Sequence, residues 1–187
     1  MPITALDQKT ALVIIDLQKG ITALSTAHSM QQVISNSAKL AEAFRRHRLP
    51  VVLVNVTGGA PGRTESPARG GDRPSDWAEL VPELNVQPGD IKITKRTWGA
   101  FHNTNLDKRL KELGVTQLVV CGVATSAGVE STARSGHEHG YNVALATDAM
   151  TDMSPEAHDN SLQRIFPRLG ETGTTEDVLK LVNKFAK

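Results

Sequence analysis

A chain of 187 residues is long enough for one domain with a sizeable core and needs no staples to hold it. Its 21 lysines and arginines against 20 acids leave a formal net charge of +1, which argues against a nucleic-acid partner or an anionic membrane surface. A single cysteine, Cys121, excludes an internal disulfide and fits a reducing, cytoplasmic setting, while no leader pattern opens the chain and no run approaches the roughly 20 apolar residues of a membrane span.

Short apolar runs alternate with helical patterns along the chain. Ala11–Leu17 (ALVIIDL) is a near-continuous β-branched run, as expected of a strand buried on both faces. Ser29 to His47 predicts a helix, with Val33, Leu40, Ala41 and Phe44 near helical spacing, and Pro50 closes it. Val51–Val56 (VVLVNV) predicts a second buried strand and Asp90–Thr94 a short third. Asn105–Leu113 predicts a charged amphipathic helix stopped by Gly114. Val115–Val123 is the fourth predicted strand, Val129–His139 a helix closed by Gly140, and Asn142–Thr147 the fifth strand. Two helices, about Pro155–Leu169 and Thr175–Phe185, complete the pattern. Such alternation predicts one α/β domain, residues 1–187, in three layers: a mostly parallel sheet of about six strands with helices on both faces.

Between the second and third strands, Thr57–Ser75 (TGGAPGRTESPARGGDRPS) reads either as a linker or as a long surface loop over a site. The alternation resumes beyond it, which favours the loop.

Ligands in such sheets bind at the carboxyl ends of strands near a switch in strand order. That rule selects Asp16–Gln18, Asn55–Thr57, Lys95–Phe101 and Val123–Gly128. A carboxylate such as Asp16 at the end of a buried strand is costly to ionise unless it is paired, put to work or capping a turn. Lys95 ends DIKITK at the same sheet edge; it reads as a solvated surface charge or as the partner of Asp16. Trp98 and Phe101 are either core or the wall of a pocket.

The stretch Leu118–Arg134 (LVVCGVATSAGVESTAR) reads as strand, small-residue turn and helix, a junction where free N–H groups can hold developing negative charge. Cys121 lies inside the apolar run and reads as a small buried hydrophobe. Thr125 and Ser126 either cap the following helix or present hydroxyls. His137 and His139 stand two apart on a helix and share no face, and no other metal-like spacing occurs. Neither a GxGxxG motif nor a phosphate-binding loop is present. No metal and no cofactor are expected.

Three separated blocks, ALVIIDLQKGI, KRTWGAFHNTNLD and CGVATSAGVESTARSGHEHGYNVALATDAM, agree in order and spacing with the isochorismatase-like hydrolase superfamily, which the chain resembles from about Thr10 to Phe166. The resemblance implies a central parallel sheet, assembly as homodimers or larger homo-oligomers, and a small-molecule substrate. It places the Asp, Lys and Cys triad of the amidase branch on Asp16, Lys95 and Gly128. It also places that family's non-proline cis peptide at Val123–Ala124, in the oxyanion-binding turn. The metal ligands of nicotinamidase-like members have no counterpart in NVTGGAPGR.

Glycine at 128 removes the covalent nucleophile, as in isochorismatases, where the resemblance makes the aspartate the proton donor to a vinyl ether that water cleaves to pyruvate. By this resemblance Asp16 is the general acid, Lys95 tunes it or binds a carboxylate, and Gly128 leaves room. Gln18, Arg63, Arg96, Trp98, Phe101, Ala124 and Thr125 are the expected substrate-binding residues. Three readings stand: a nucleophile-free hydrolase of a small anionic metabolite, a binding or regulatory homologue without catalysis, and a hydrolase using Thr125 or Ser126 as a relocated nucleophile.

Overall fold

In the computed structural model, which describes residues 3–65 and 73–185, the six strands form one parallel sheet ordered β3-β2-β1-β4-β5-β6. The strands are β1 (Thr10–Ile15), β2 (Val51–Val56), β3 (Ile91–Lys95), β4 (Gln117–Val123), β5 (Asn142–Thr151) and β6 (Glu171–Gly173). Strand order runs outward from β1 in both directions, so the switch falls between β1 and β4. A parallel sheet must be covered on both faces, and the side-chain alternation of β1 does this. Leu12 and Ile14 join one buried cluster with Phe44, Leu40 and Val178; Ala11, Val13 and Ile15 join the other with Leu106, Leu110 and Phe166.

The first face carries α2 (Met30–Arg46) and α6 (Thr175–Val182). The Ser29 hydroxyl accepts from the Gln32 N–H at the start of α2, and Thr174 and Asp177 form a reciprocal capping box on α6. The second face carries α3 (Leu106–Glu112) and α4 (Glu130–Glu138). A one-turn helix, α1 (Lys19–Thr22), follows β1, and α5 (Pro155–Asn160) follows β5.

One expectation needs correction, and two other elements differ in detail. The predicted helix over 155–169 is broken: α5 gives way to a wide π-type turn at Ser161–Ile165 and a 3₁₀ turn at Phe166–Arg168. Pro167 supplies no N–H and cannot continue an α-helical ladder. The sixth strand, β6, carried no pattern, because three half-buried edge residues are too few to show an alternation. The helix predicted to open at Val129 is preceded by another π-type turn, Thr125–Val129. Among the described residues no helix is long and apolar enough to cross a membrane. The part of the predicted surface loop at 66–72 lies outside the described residues.

Candidate active site

β1 ends where the site begins. Asp16 takes φ 51°, a left-handed conformation that aspartate tolerates better than most residues, and its N–H bonds the Val54 carbonyl on β2. Beside it, Gly122 on β4 has φ 114°, and a Cβ there would stand 2.1 Å from the Ile15 carbonyl oxygen. Only glycine lets β4 lie this close to the end of β1. The β4 strand then runs through a cis Val123–Ala124 peptide into the Thr125–Val129 turn, and Gly128 of that turn lies beside Asp16.

Asp16 and Lys95, 79 residues apart, are brought together there. Lys95 Nζ donates to Asp16 Oδ2 at 2.6 Å and to the Thr97 carbonyl at 3.2 Å. Asp16 is 6% and Lys95 2% exposed. Asp16 Oδ1 is buried without a hydrogen-bond partner. Burial pushes the Asp16 carboxyl up to about 6, and the Lys95 ammonium offsets only part of that rise. A carboxyl of this kind is part protonated near neutral pH and can give up a proton to a group brought against it.

The pair opens into a cavity of about 370 Å³, the volume of a small metabolite rather than a polymer. Ala124, Ala127 and Gly128 form its floor, and Trp77, Trp98 and Met153 its walls and rim. Trp98 is 67% exposed. Arg73 contributes a guanidinium, lying over the Trp77 ring at 4.1 Å and donating to the Thr57 carbonyl at 3.3 Å.

Of the residues predicted from sequence, Asp16, Lys95, Gly128, Trp98 and Ala124 line this cavity. The other expected binding residues do not. Gln18 is fully buried and structural: its side-chain amide donates to the Val56 and Trp77 carbonyls and its oxygen accepts from the Val56 N–H. Gln18 thereby ties residues 77–80 to the end of β1, reinforced by a backbone bridge to Leu80. Phe101 packs in the second core cluster against Tyr141 and His139. Arg63 is exposed and outside the cavity lining. Arg96, also exposed, lies alongside Gly58, at the cavity edge without entering it.

Thr125 and Ser126 are committed elsewhere. Thr125 is fully buried, with its hydroxyl 2.8 Å from His158 Nδ1, and the Ser126 N–H and hydroxyl both donate to Asp152 Oδ2. Neither hydroxyl faces the cavity, against their expected use as nucleophile or substrate contact. Cys121 is buried on the α2 side, its thiol pushed up to about 12 by burial.

No motif marks Arg73, Trp77 or Met153 individually, although Arg73 falls within the 57–75 loop expected over the site. Met153 lies two residues past the carboxyl end of β5, while Arg73 and Trp77 come from the connection between β2 and β3 and reach the cavity only because that stretch folds back over the end of β1. Among the described residues, no three histidine, cysteine or acidic side chains gather as metal ligands would.

An isochorismatase domain matches residues 10–177. The chain belongs to the isochorismatase family. It is 48% identical over 182 residues to the Bacillus subtilis isochorismatase family protein YwoC, covering 94% of this chain and 95% of that one. It is 39% identical over 179 residues to YecD of Escherichia coli O157:H7, another isochorismatase family protein, covering 91% and 94%. An isochorismatase family protein from Burkholderia thailandensis superimposes with a TM-score of 0.92 at 38% identity, covering 96% of this chain and 98% of that one. The chain is thus an isochorismatase-family hydrolase with the α/β fold of that family.

Proposed function

We propose that this isochorismatase-family protein hydrolyses a small anionic vinyl ether without a covalent nucleophile, with Asp16 as general acid. The observation that carries the reading is the buried Asp16–Lys95 pair on a metabolite-sized cavity, in which one Asp16 oxygen has no partner in the protein. An acid at this position transfers its proton to the terminal vinyl carbon. Water adds to the resulting oxocarbenium carbon, and the hemiketal collapses to an alcohol and a keto acid, returning a proton to Asp16. For an enolpyruvyl ether this consumes one water and releases pyruvate.

Burial suits Asp16 to this role, because it keeps a fraction of the carboxyl protonated where an exposed aspartate would be fully ionised. Lys95 supports the anionic form left after transfer. Arg73, held over Trp77, is placed to receive the substrate carboxylate. Gly128 stands at the position of the amidase nucleophile and has no side chain to attack with; the hydroxyls of Thr125 and Ser126 are bound to His158 and Asp152. These features favour acid catalysis over an acyl-enzyme route.

The test is pyruvate release from isochorismate by purified protein beside Asp16→Asn. Release that falls by on the order of 10²–10⁴ in the variant supports general acid catalysis. Equal release from both proteins would sink the role of Asp16. No release from either would exclude isochorismate hydrolysis without excluding an enzyme, and would shift weight to the binding reading.

A further inference from the structure

The floor of the cavity is bonded from behind by the segment that follows β5. Residues 151–158, from the end of β5 through the start of α5, contact the Thr125–Val129 turn at two adjacent residues. Asp152 Oδ2 accepts the Ser126 N–H at 2.7 Å and the Ser126 hydroxyl at 2.8 Å, while its Oδ1 accepts the Met153 and Ser154 N–H groups. His158 reaches the preceding residue, with Nδ1 2.8 Å from the Thr125 hydroxyl. Both partners of this second contact are buried. The His158 ring also packs on the His28 ring at 4.5 Å, and His28 in turn touches the Thr151 hydroxyl through Nδ1 at 3.2 Å.

Thr125 follows Ala124 directly, and three residues later Gly128 packs against the acid: a Cβ there would stand 3.4 Å from Asp16 Oδ2. A change in the height of the turn therefore changes how much water reaches Asp16. A buried threonine hydroxyl and imidazole nitrogen, each with a partner, fix that height more sharply than apolar packing would.

We infer that His158 is a positioning residue, which through its hydrogen bond to Thr125 holds the 125–129 turn down on Asp16 and keeps that carboxyl dry. The inference rests on the proposed role of Asp16. His158 itself never touches the cavity. Burial lowers its basicity and the facing His28 does so further, against the opposing pull of Asp152 and Asp159, so the neutral ring is the form that holds Thr125 near neutral pH.

The two tryptophans of the chain, Trp77 and Trp98, both line the cavity, so intrinsic fluorescence reports on it. The experiment is a fluorescence pH titration of the whole protein, in which the step lost in Asp16→Asn is taken as Asp16. In His158→Leu and Thr125→Val this step should move down by about one unit toward the ordinary carboxylate range, as water enters. His158→Asn, whose amide can replace Nδ1, and Thr125→Ser should restore it. A purely structural role would lower thermal stability and leave the midpoint in place.

Unmoved midpoints in both His158→Leu and Thr125→Val overturn the inference, and if His158→Leu does not fold, Thr125→Val decides alone. The proposed function is tested separately by pyruvate release. A midpoint that moves in a protein without turnover rejects the substrate and supports the clamp; turnover with fixed midpoints does the reverse.

Discussion

Lys95 Nζ lies 2.6 Å from one oxygen of Asp16, yet the other Asp16 oxygen, which is buried, has no partner. Placing both charges in the interior carries a desolvation cost that one contact only partly offsets, so the carboxyl sits at about 6 rather than 3.8. An acid held in that range by burial supports the proposed role of Asp16 in proton transfer.

The pH dependence of turnover follows from that value. If protonated Asp16 is the acting form, kcat/KM should be level in acid and fall about tenfold per pH unit above about 6. A rate that rises with pH through this range would assign Asp16 the opposite role, as a base.

Stability should respond to the same group. Folding raises the Asp16 pKa from 3.8 to about 6, so between these values the native state binds more protons than the unfolded one. Its contribution is therefore fully present below about 4 and is lost as pH rises to about 6. Urea titrations of wild type and Asp16→Asn across this window should show wild type losing stability relative to the variant as pH rises.

Replacing Lys95 by methionine removes the cation and donor that lower the Asp16 pKa. Burial then acts alone, and the alkaline limb of the rate profile, or the Asp16 fluorescence step, should move to higher pH. A shift to lower pH would show that Lys95 does not act on Asp16.

Restoring a thiol at Gly128 should be costly. A Cβ there would lie 2.8 Å from Ile15 Cγ2, closer than packed atoms approach, so Gly128→Cys should lose about 1–3 kcal/mol by overpacking. Ile15 is itself a buried core residue, so in a double-mutant cycle the combined cost of Gly128→Cys and Ile15→Ala should be less than the sum of the single costs. Thermal melts of the single and double variants measure it, and alkylation rates with iodoacetamide report whether the new thiol is activated.

Gly20 supports indirectly the arginine proposed to receive the substrate carboxylate. A Cβ at Gly20 would meet the Trp77 ring at 2.0 Å, so Gly20→Ala must displace the ring on which Arg73 lies. The expected result is a raised KM for a carboxylate substrate with a smaller change in kcat, matching Arg73→Gln. An unchanged KM in both variants would remove Arg73 from the site.

Much of this protein was legible in its sequence. Strand β2 is a Val-rich apolar run of strand length, Asp16 stands out as a charge directly after the apolar run of β1, and Lys95 closes the shorter alternating strand β3. The sheet edge on which both lie follows from chain direction alone, since parallel strands present their carboxyl ends together. Tertiary structure decided the rest. Gln18 and Phe101 look like site residues by position, but the twist of the chain past each strand end turns both inward to bond or pack. Arg73 and Met153 look like loop residues and become the cavity wall, because Gln18, Lys19 and Asp152 hold their segments over β1 and β4. Strand pattern records the burial of a residue's own neighbours in sequence. Which distant loops are folded across a strand end is settled by hydrogen bonds spanning tens of residues, and those leave no period to read.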